Sequence, residues 1–348
     1  PVHAQVVAYK AAPGNLRPTI FNAGNGVPLI NIQTPSAAGV SRNQYERLDA
    51  GPQGVIFNNS RTDVATQLGG WVQGNPWLAK GSARVILNEV LSSQPSQLNG
   101  YLEIAGQRAQ LVIAHPAGVT CDGCGFLNAN RVTLTTGTPL LNGGNLEGYR
   151  VDGGQIRIEG NGLDASRVDY TDLIARAVQV NAGLWAQHLA VTAGANRVDA
   201  GHTQVTPIAG SGPAPAFAID VAQLGGMYAG KITLLGTEAG VGVRNAGTLA
   251  ASAGEVVVPS EGKLIKAGAI DAGNARITAT TLTNQGQIYG DHLAIATQDL
   301  HNANTAVIAA RNRLDLGVDT LNNHPDALLF SAGDLALGGA LTAEGLAT

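Results

Sequence analysis

The sequence predicts an all-β chain: a parallel β-helix, or solenoid, closed at its N-terminal end by a non-repetitive β cap. Three observations carry this. Short apolar-x-apolar runs alternate with clusters of Gly, Asn and Asp along most of the 348 residues, which reads as strand followed by turn. A period near 20 residues recurs in the last hundred positions, and no stretch sustains a helical period. The composition is 44% apolar but only 4% aromatic and 13% charged, with 46 glycines. Small aliphatic side chains suit a narrow interior of stacked columns, whereas a disordered chain would be apolar-poor and highly charged. Glycine is too sparse for collagen. No apolar run of about 18 residues is present to cross a bilayer as a helix.

Taken in order, residues 1–75 hold Pro13, Pro18, Pro28, Pro35 and Pro52 and show no period. They are expected to form mainly the cap, which covers the strand edge that a solenoid end exposes. Residues 130–245 carry strand-like triplets with wider spacing: Val132-Thr-Leu134, Ile156-Arg-Ile158, Val178-Gln-Val180 and Leu189-Ala-Val191. From 251 to 348 two markers repeat. Leu-x-Asn occurs at Leu282, Leu300 and Leu321, in steps of 18 and 21 residues. A second marker occurs at Leu293-Ala-Ile295, Leu314-Asp-Leu316 and Leu335-Ala-Leu337, in steps of 21, with a fainter copy at Ala275-Arg-Ile277. One such repeat makes one coil, with parallel strands about 4.8 Å apart and Gly and Asn at corners in left-handed conformations. At ~20 residues per coil the chain accommodates about 17 coils. The pattern stops in mid-repeat at Leu341–Thr348, and the N-terminus at Pro1 shows no signal peptide. The chain therefore reads as a processed piece truncated at its C-terminus.

The formal net charge is −4, with 21 basic residues scattered along the chain, so no electrostatic footprint for nucleic acid appears. Asp152, Glu159, Asp164, Asp169 and Asp172 raise the remote alternative of a polysaccharide-cleaving β-helix enzyme, which needs acids gathered around one bond; solvated turn positions are expected instead. The seven His (3, 115, 188, 202, 292, 301, 324) lack metal-ligand spacing, and His292 and His301 are placed in repeat turns. Gly236–Gly242 lacks the Gly-Lys-Ser/Thr ending of a phosphate loop and reads as a coil corner. No catalytic residue, metal site or cofactor is expected.

Many ordered segments resemble the N-terminal secretion domains of two-partner-secretion exoproteins, the filamentous haemagglutinins and the contact-dependent inhibition proteins of the CdiA type. They are Gly26-Val-Pro-Leu-Ile-Asn-Ile32, Ser41-Arg-Asn-Gln-Tyr45, Gly54-Val-Ile-Phe-Asn-Asn59, Gly74-Asn-Pro-Trp-Leu78 and Ile86-Leu-Asn-Glu-Val90. Cys121-Asp-Gly-Cys-Gly-Phe126, Arg131-Val-Thr-Leu-Thr-Thr-Gly137, Asp169-Tyr-Thr-Asp-Leu-Ile174 and Gly240-Val-Gly-Val-Arg-Asn-Ala-Gly247 follow in family order. The resemblance places this secretion domain at 1–250 and haemagglutinin-type repeats at 251–348. It implies a right-handed parallel β-helix. It also implies export through the periplasm of a Gram-negative bacterium, with recognition by a cognate outer-membrane β-barrel transporter of the TpsB/CdiB type through its POTRA domains. Downstream regions would meet a target-cell or host receptor.

The family's Asn-Pro-x-Leu turn is intact as Asn75-Pro76-Trp77-Leu78. Its Asn-Pro-x-Gly turn reads His115-Pro116-Ala117-Gly118 here, and His replaces Asn as a turn cap if the proper ring nitrogen accepts. Cys121 and Cys124 have redox-motif spacing but no strand-to-helix setting. In the oxidising compartment that the resemblance implies, a disulfide is expected ahead of free thiols or a metal site. The function implied is secretion targeting of a large surface protein, a toxin stalk of the contact-dependent growth inhibition type; the alternative is a haemagglutinin-like adhesin. An adhesive role for the chain itself needs an exposed aromatic or basic patch, which 4% aromatics makes sparse.

Overall fold

A computed structural model describes residues 5–348; His3 lies outside them. Strands take up 64% of the chain, and among the described residues the only helical pieces are the single 3-10 turns Gly14–Leu16 and Pro76–Leu78. The architecture is a right-handed parallel β-solenoid with a β cap. The chain divides into two units, one running to Arg176 together with Ala195–Ser211, the other comprising Ala177–Gly194 and Gly212–Thr348.

In the first unit the cap is antiparallel. Val6–Ala8 pairs with Val40–Leu48, and the hairpins Thr19–Asn22/Pro28–Asn31 and Val64–Thr66/Gly70–Val72 close on themselves. Parallel pairing already begins inside this region. Pro28–Asn31 pairs with Val55–Asn59, which leads to Tyr101–Gly106 and Val119–Leu127. Val40–Leu48 leads through Val85–Val90 and Ala109–Ala114 to Ala129–Thr135. The interior is apolar: Ile30, Ile56, Phe57, Ile86, Leu87, Leu111 and Val132 are fully buried.

The sequence pattern gave no sign of a four-stranded antiparallel sheet built from Thr138–Asn142, Asn145–Val151, Asn196–Asp199 and Val205–Pro207. Leu146, Tyr149, Val151 and Val198 of this sheet pack on Val40, Val85, Leu87, Val112 and Ile174 of the coils. The chain accordingly spends residues outside the coils: the strands Asn196–Asp199 and Val205–Pro207 fall between the register partners Val178 and Ile219, and the hairpin Val64–Thr66/Gly70–Val72 falls between Ile56 and Glu103. The two units hold about 12 turns rather than the 17 that a uniform period implies.

The second unit is regular. Ala269–Asn284, Gln287–Asn302 and Val307–Asn323 stack in parallel over almost their full lengths. The 18- and 21-residue steps have a structural cause. The later coil inserts two residues in the corner after Asn302, where Thr305 takes φ 62°, and one in a bulge between Gly290 and His292.

The repeat asparagines do not occupy left-handed corners. Asn245, Lys266, Asn284, Asn302 and Asn323 are register partners on successive coils. Asn284 Nδ2 donates to Asn302 Oδ1 at 2.9 Å, and Asn302 Nδ2 to Asn323 Oδ1 at 2.8 Å. This is an amide ladder running coil to coil, with its first four members fully buried. The glycines beside it serve close approach: a Cβ at Gly247, Gly268 or Gly286 would strike the carbonyl oxygen of Gly225, Gly247 or Gly268 on the coil below. His292 and His301 are strand residues of Gln287–Asn302, not turn residues.

Candidate functional site: two proline turns and a stapled bulge

Asn75 is buried and acts as a three-way tie. Its Oδ1 accepts from the Trp77 backbone N–H at 3.0 Å, which caps the 3-10 turn Pro76–Leu78. Its Nδ2 donates to Ile32 O at 2.9 Å and to Asn58 O at 3.0 Å. One amide thus joins the turn to the strand Val55–Asn59 and to the residue that follows the strand Pro28–Asn31. Pro76 suits the first helical position because no N–H is needed there. Leu78 is fully buried, whereas Trp77 stays 45% exposed. The indole N–H of Trp77 donates to Thr19 Oγ1 at 3.2 Å, and its carbonyl accepts from Thr34 Oγ1 at 2.8 Å. Trp77 forms one wall of a cleft of about 710 Å³ also lined by Leu16, Gln33, Thr34, Arg42 and Leu141.

His115 takes a different route from Asn75. Its own turn is closed by the backbone, with Gly118 N–H donating to His115 O at 3.0 Å. Gly118 has φ 123°, and a Cβ there would meet Gln155 O at 2.9 Å. The imidazole does not cap this turn. Its Nδ1 lies 2.9 Å from Ser96 Oγ and its Nε2 3.0 Å from Ser92 O. Since a carbonyl only accepts, Nε2 carries the proton and Nδ1 accepts from the hydroxyl. The ring therefore binds the turn to segment 92–96. Burial holds its pKa below the ordinary histidine value, against the opposing effect of the Ser92 carbonyl. A cleft of about 550 Å³ opens beside it, lined by Lys10, Arg47, Asp49, Ser92, Gln97 and His115 among others. Pro116 and Ala117 form the outer part of this turn.

Cys121 and Cys124 are joined by a disulfide with Cα atoms 5.4 Å apart. Both are buried. The bridge spans a register shift between Asp122 and Cys124 in the strand Val119–Leu127, where Gly123 takes φ 77°. It staples a bulge, in a setting without a helix.

The acidic residues are committed separately. Glu159 pairs with Arg157 at 2.5 Å, Asp169 with Arg108 at 3.8 Å, and Asp164 accepts from Tyr101 Oη at 2.7 Å. Asp172 is nearly fully buried and takes Arg131 Nε at 2.7 Å and His202 Nδ1 at 2.9 Å. Burial alone raises the Asp172 pKa, but the bonds from His202 and Arg131 outweigh it and hold the carboxyl below the usual range. His202 sits at φ 57° in the turn of the inserted sheet. This cluster pins that sheet to the coils; no spacing in the sequence announces it, because its members lie 41 and 30 positions apart. His292 Nε2 lies 2.9 Å from Asp315. Gly240, with φ 79°, turns the corner between Lys231–Gly236 and Gly242–Asn245. Among the described residues no group of three or more His, Cys, Asp or Glu converges as a metal site would require, and no helix is long and apolar enough to cross a membrane.

Three comparisons bear on this arrangement. The family model of the TPS secretion domain matches residues 4–266. The chain is 56% identical over 290 residues to a protein named Toxin CdiA from Yersinia pestis, covering 82% of this chain and 9% of that protein. It is 49% identical over 273 residues to tRNA nuclease CdiA-2 of Burkholderia pseudomallei strain 1026b, covering 78% of this chain and 9% of that protein. The chain thus spans about a tenth of the length of these relatives. Its fold matches the crystal structure of a filamentous hemagglutinin secretion domain with a TM-score of 0.71 at 32% identity, covering 97% of this chain and 98% of the other.

Proposed function

Since the chain belongs to the TPS secretion domain family, we propose that it targets a large exported surface protein for secretion. A cognate outer-membrane β-barrel transporter of the TpsB/CdiB type recognises it in the periplasm through POTRA domains. Export to the surface of a Gram-negative cell proceeds without a nucleotide cofactor, and the domain itself performs no catalysis. The whole protein is a toxin stalk of the contact-dependent growth inhibition type, with an adhesin as the alternative. The observation that carries this reading is the family match over residues 4–266, supported by the intact Asn75–Leu78 turn at the junction of cap and coils.

The mechanism follows from how a solenoid is held. Each coil rests on its nearest neighbours, so coils add one at a time. In the periplasm, extended segments pair with an edge strand of a POTRA domain, drawing affinity from main-chain hydrogen bonds and selectivity from alternate side chains. Once the cap and first coils have formed outside, each further coil buries apolar side chains and closes ladder hydrogen bonds. Back-sliding then requires undoing that burial, and the direction of movement is biased outward. The Asn75 tie closes the cap onto the first coils, which is the step that starts this sequence.

The test is secretion with and without the cognate transporter, paired with an Asn75→Ala variant. Export is expected to need the transporter and to fall in the variant. Equal export without the transporter would overturn the proposal.

A further inference from the structure

The second unit contains five aromatic residues: Trp185, Phe217, Tyr228, Tyr289 and Phe330. Four of them are exposed, between 39% and 46%, and these four occupy one column of the outer face. Trp185 is the register partner of Tyr228, followed on successive coils by Ala250, Asp271, Tyr289, Ala309 and Phe330. At about 4.8 Å per coil the column runs for roughly 30 Å. Its intervening positions carry Ala250, Asp271 and Ala309.

Two of the rings lie flat on the sheet. A Cβ at Gly183 would collide with the indole of Trp185, and a Cβ at Gly226 would lie 2.6 Å from Tyr228 Oη. Each ring therefore covers the glycine two positions before it, in the parallel sequences Gly183-Leu-Trp185 and Gly226-Met-Tyr228. The ring centroids are 6.2 Å apart and the planes differ by 17°. That separation exceeds the coil spacing, so the rings tile side by side instead of stacking face to face. The result is a flat aromatic floor in open solvent.

We propose that this column binds a neutral glycan laid along the solenoid axis. Flat aromatic floors suit the C–H faces of pyranose rings, with Asp271 within the column and Gln287 and the Tyr228 hydroxyl beside it able to meet sugar hydroxyls. The charge pattern selects among extended ligands. Asp271 is the sole charged residue of the column, and the outward column on one side (Gly183, Gly226, Thr248, Ala269, Gln287, Val307, Leu328) carries no charge; two positions beyond the column on the other side, Arg311 is paired with Asp291 at 3.3 Å. A single-stranded nucleic acid stacks on aromatics but needs cations for its phosphates, and an acidic polysaccharide needs them equally. An extended peptide draws its affinity from free main-chain groups at a sheet edge, whereas here those groups are spent in the ladders between coils. The exposed strip is also one side chain wide, too narrow for a protein interface of standard size.

The experiment titrates purified chain with neutral hexose oligosaccharides of two to six units in the cello-, malto- and laminari- series, with heparin and oligo-dT as charged counterparts. Binding of at least one neutral series is expected, with no heparin or oligo-dT binding. The Trp185→Ala/Tyr228→Ala double variant should lose at least tenfold in affinity while keeping its melting temperature, because both rings face solvent. Trp71→Ala, at an exposed aromatic in the cap, should bind as the parent does. Tyr289 lies three coils from Tyr228, so Tyr289→Ala/Phe330→Ala should weaken the hexamer and leave the dimer unchanged. No binding to any neutral series, unchanged affinity in the first double variant, equal weakening of dimer and hexamer in the second, or preference for heparin or oligo-dT would each overturn the proposal. These readouts need no transporter, so their failure leaves the secretion reading standing.

Discussion

Lys266 occupies a rung of the asparagine ladder, and replacing it with Asn is expected to stabilise the second unit in a pH-dependent way. The ammonium is fully buried. Nζ donates to Gly268 O and, at 3.3 Å, to Asn284 Oδ1, but no carboxylate is paired with it among the ion pairs of the described residues. Desolvation pushes its pKa from the ordinary 10.5 down to about 7. The unfolded chain holds this proton up to about pH 10.4, while the folded chain sheds it near pH 7. Between those values the unfolded state binds one more proton, so stability rises with pH at up to ~1.4 kcal/mol per unit. The accumulated difference is about 5 kcal/mol, of which about 4 is still owed at pH 7. Asn at this position carries no charge and can donate to Asn284 Oδ1 as Asn284 does to Asn302. Urea unfolding of parent and Lys266→Asn chains between pH 6 and 10 should show the variant ahead by about 3–4 kcal/mol at pH 7, with the gap closing as pH rises. A gap that stays constant over this range, or a variant weaker than the parent at pH 7, would refute the argument.

Other outcomes follow from the turns and the staple. Asn75→Ala strands two carbonyls and one N–H in a buried site, and should cost about 2–4 kcal/mol in denaturant unfolding; Asn75→Asp keeps the cap but sets a carboxylate against two carbonyls, and should be no better. The lowered pKa of His115 means that the unfolded state takes up its proton first as pH falls from about 6.5, so stability should drop through that range. His115→Gln, which retains a donor for Ser92 O and an acceptor for Ser96 Oγ, should flatten the drop as followed by melting temperature against pH. The Cys121–Cys124 bridge closes a short loop and should contribute at most about 2 kcal/mol, measured by unfolding with and without reductant; a much larger loss would mean the bulge itself collapses when reduced.

The solenoid was legible in the sequence because its regularities are local. Apolar-x-apolar runs report inward columns, and the recurrence of Leu-x-Asn at Leu282, Leu300 and Leu321, in steps near 20 residues, reports coils. What the asparagines do was not legible from the same triplets. Asn favours both left-handed corners and amide ladders, and only the register that places Asn284 beside Asn302 decides between them. The turn at Asn75–Leu78 could be recognised from its residues, but its ties to Ile32 and Asn58 come from positions 43 and 17 residues away. By analogy with Asn, the sequence suggests His115 as a substitute cap. The ring is longer, so it reaches past its own turn to Ser92 and Ser96. The inserted sheet stayed hidden because Thr138–Asn142 and Asn196–Asp199 look like any coil strand, and what holds the sheet to the coils is non-local: Leu146, Tyr149, Val151 and Val198 packed on coil residues, and Asp172 joining Arg131 to His202. Few aromatics made a binding patch look implausible, yet composition counts residues without their alignment.

The asparagine ladder also bears on how such a chain changes in length over generations. Its members are separated by 21, 18, 18 and 21 residues from Asn245 to Asn323, and each coil touches only its neighbours. A recombination event that duplicates or deletes one whole interval returns an amide to the same place and leaves both junctions as they were. A slip by one residue instead turns every downstream side chain to the opposite face. Heredity can therefore lengthen or shorten this unit in whole coils at little cost, and the corner after Asn302, which already absorbs two extra residues, marks where smaller insertions are tolerated.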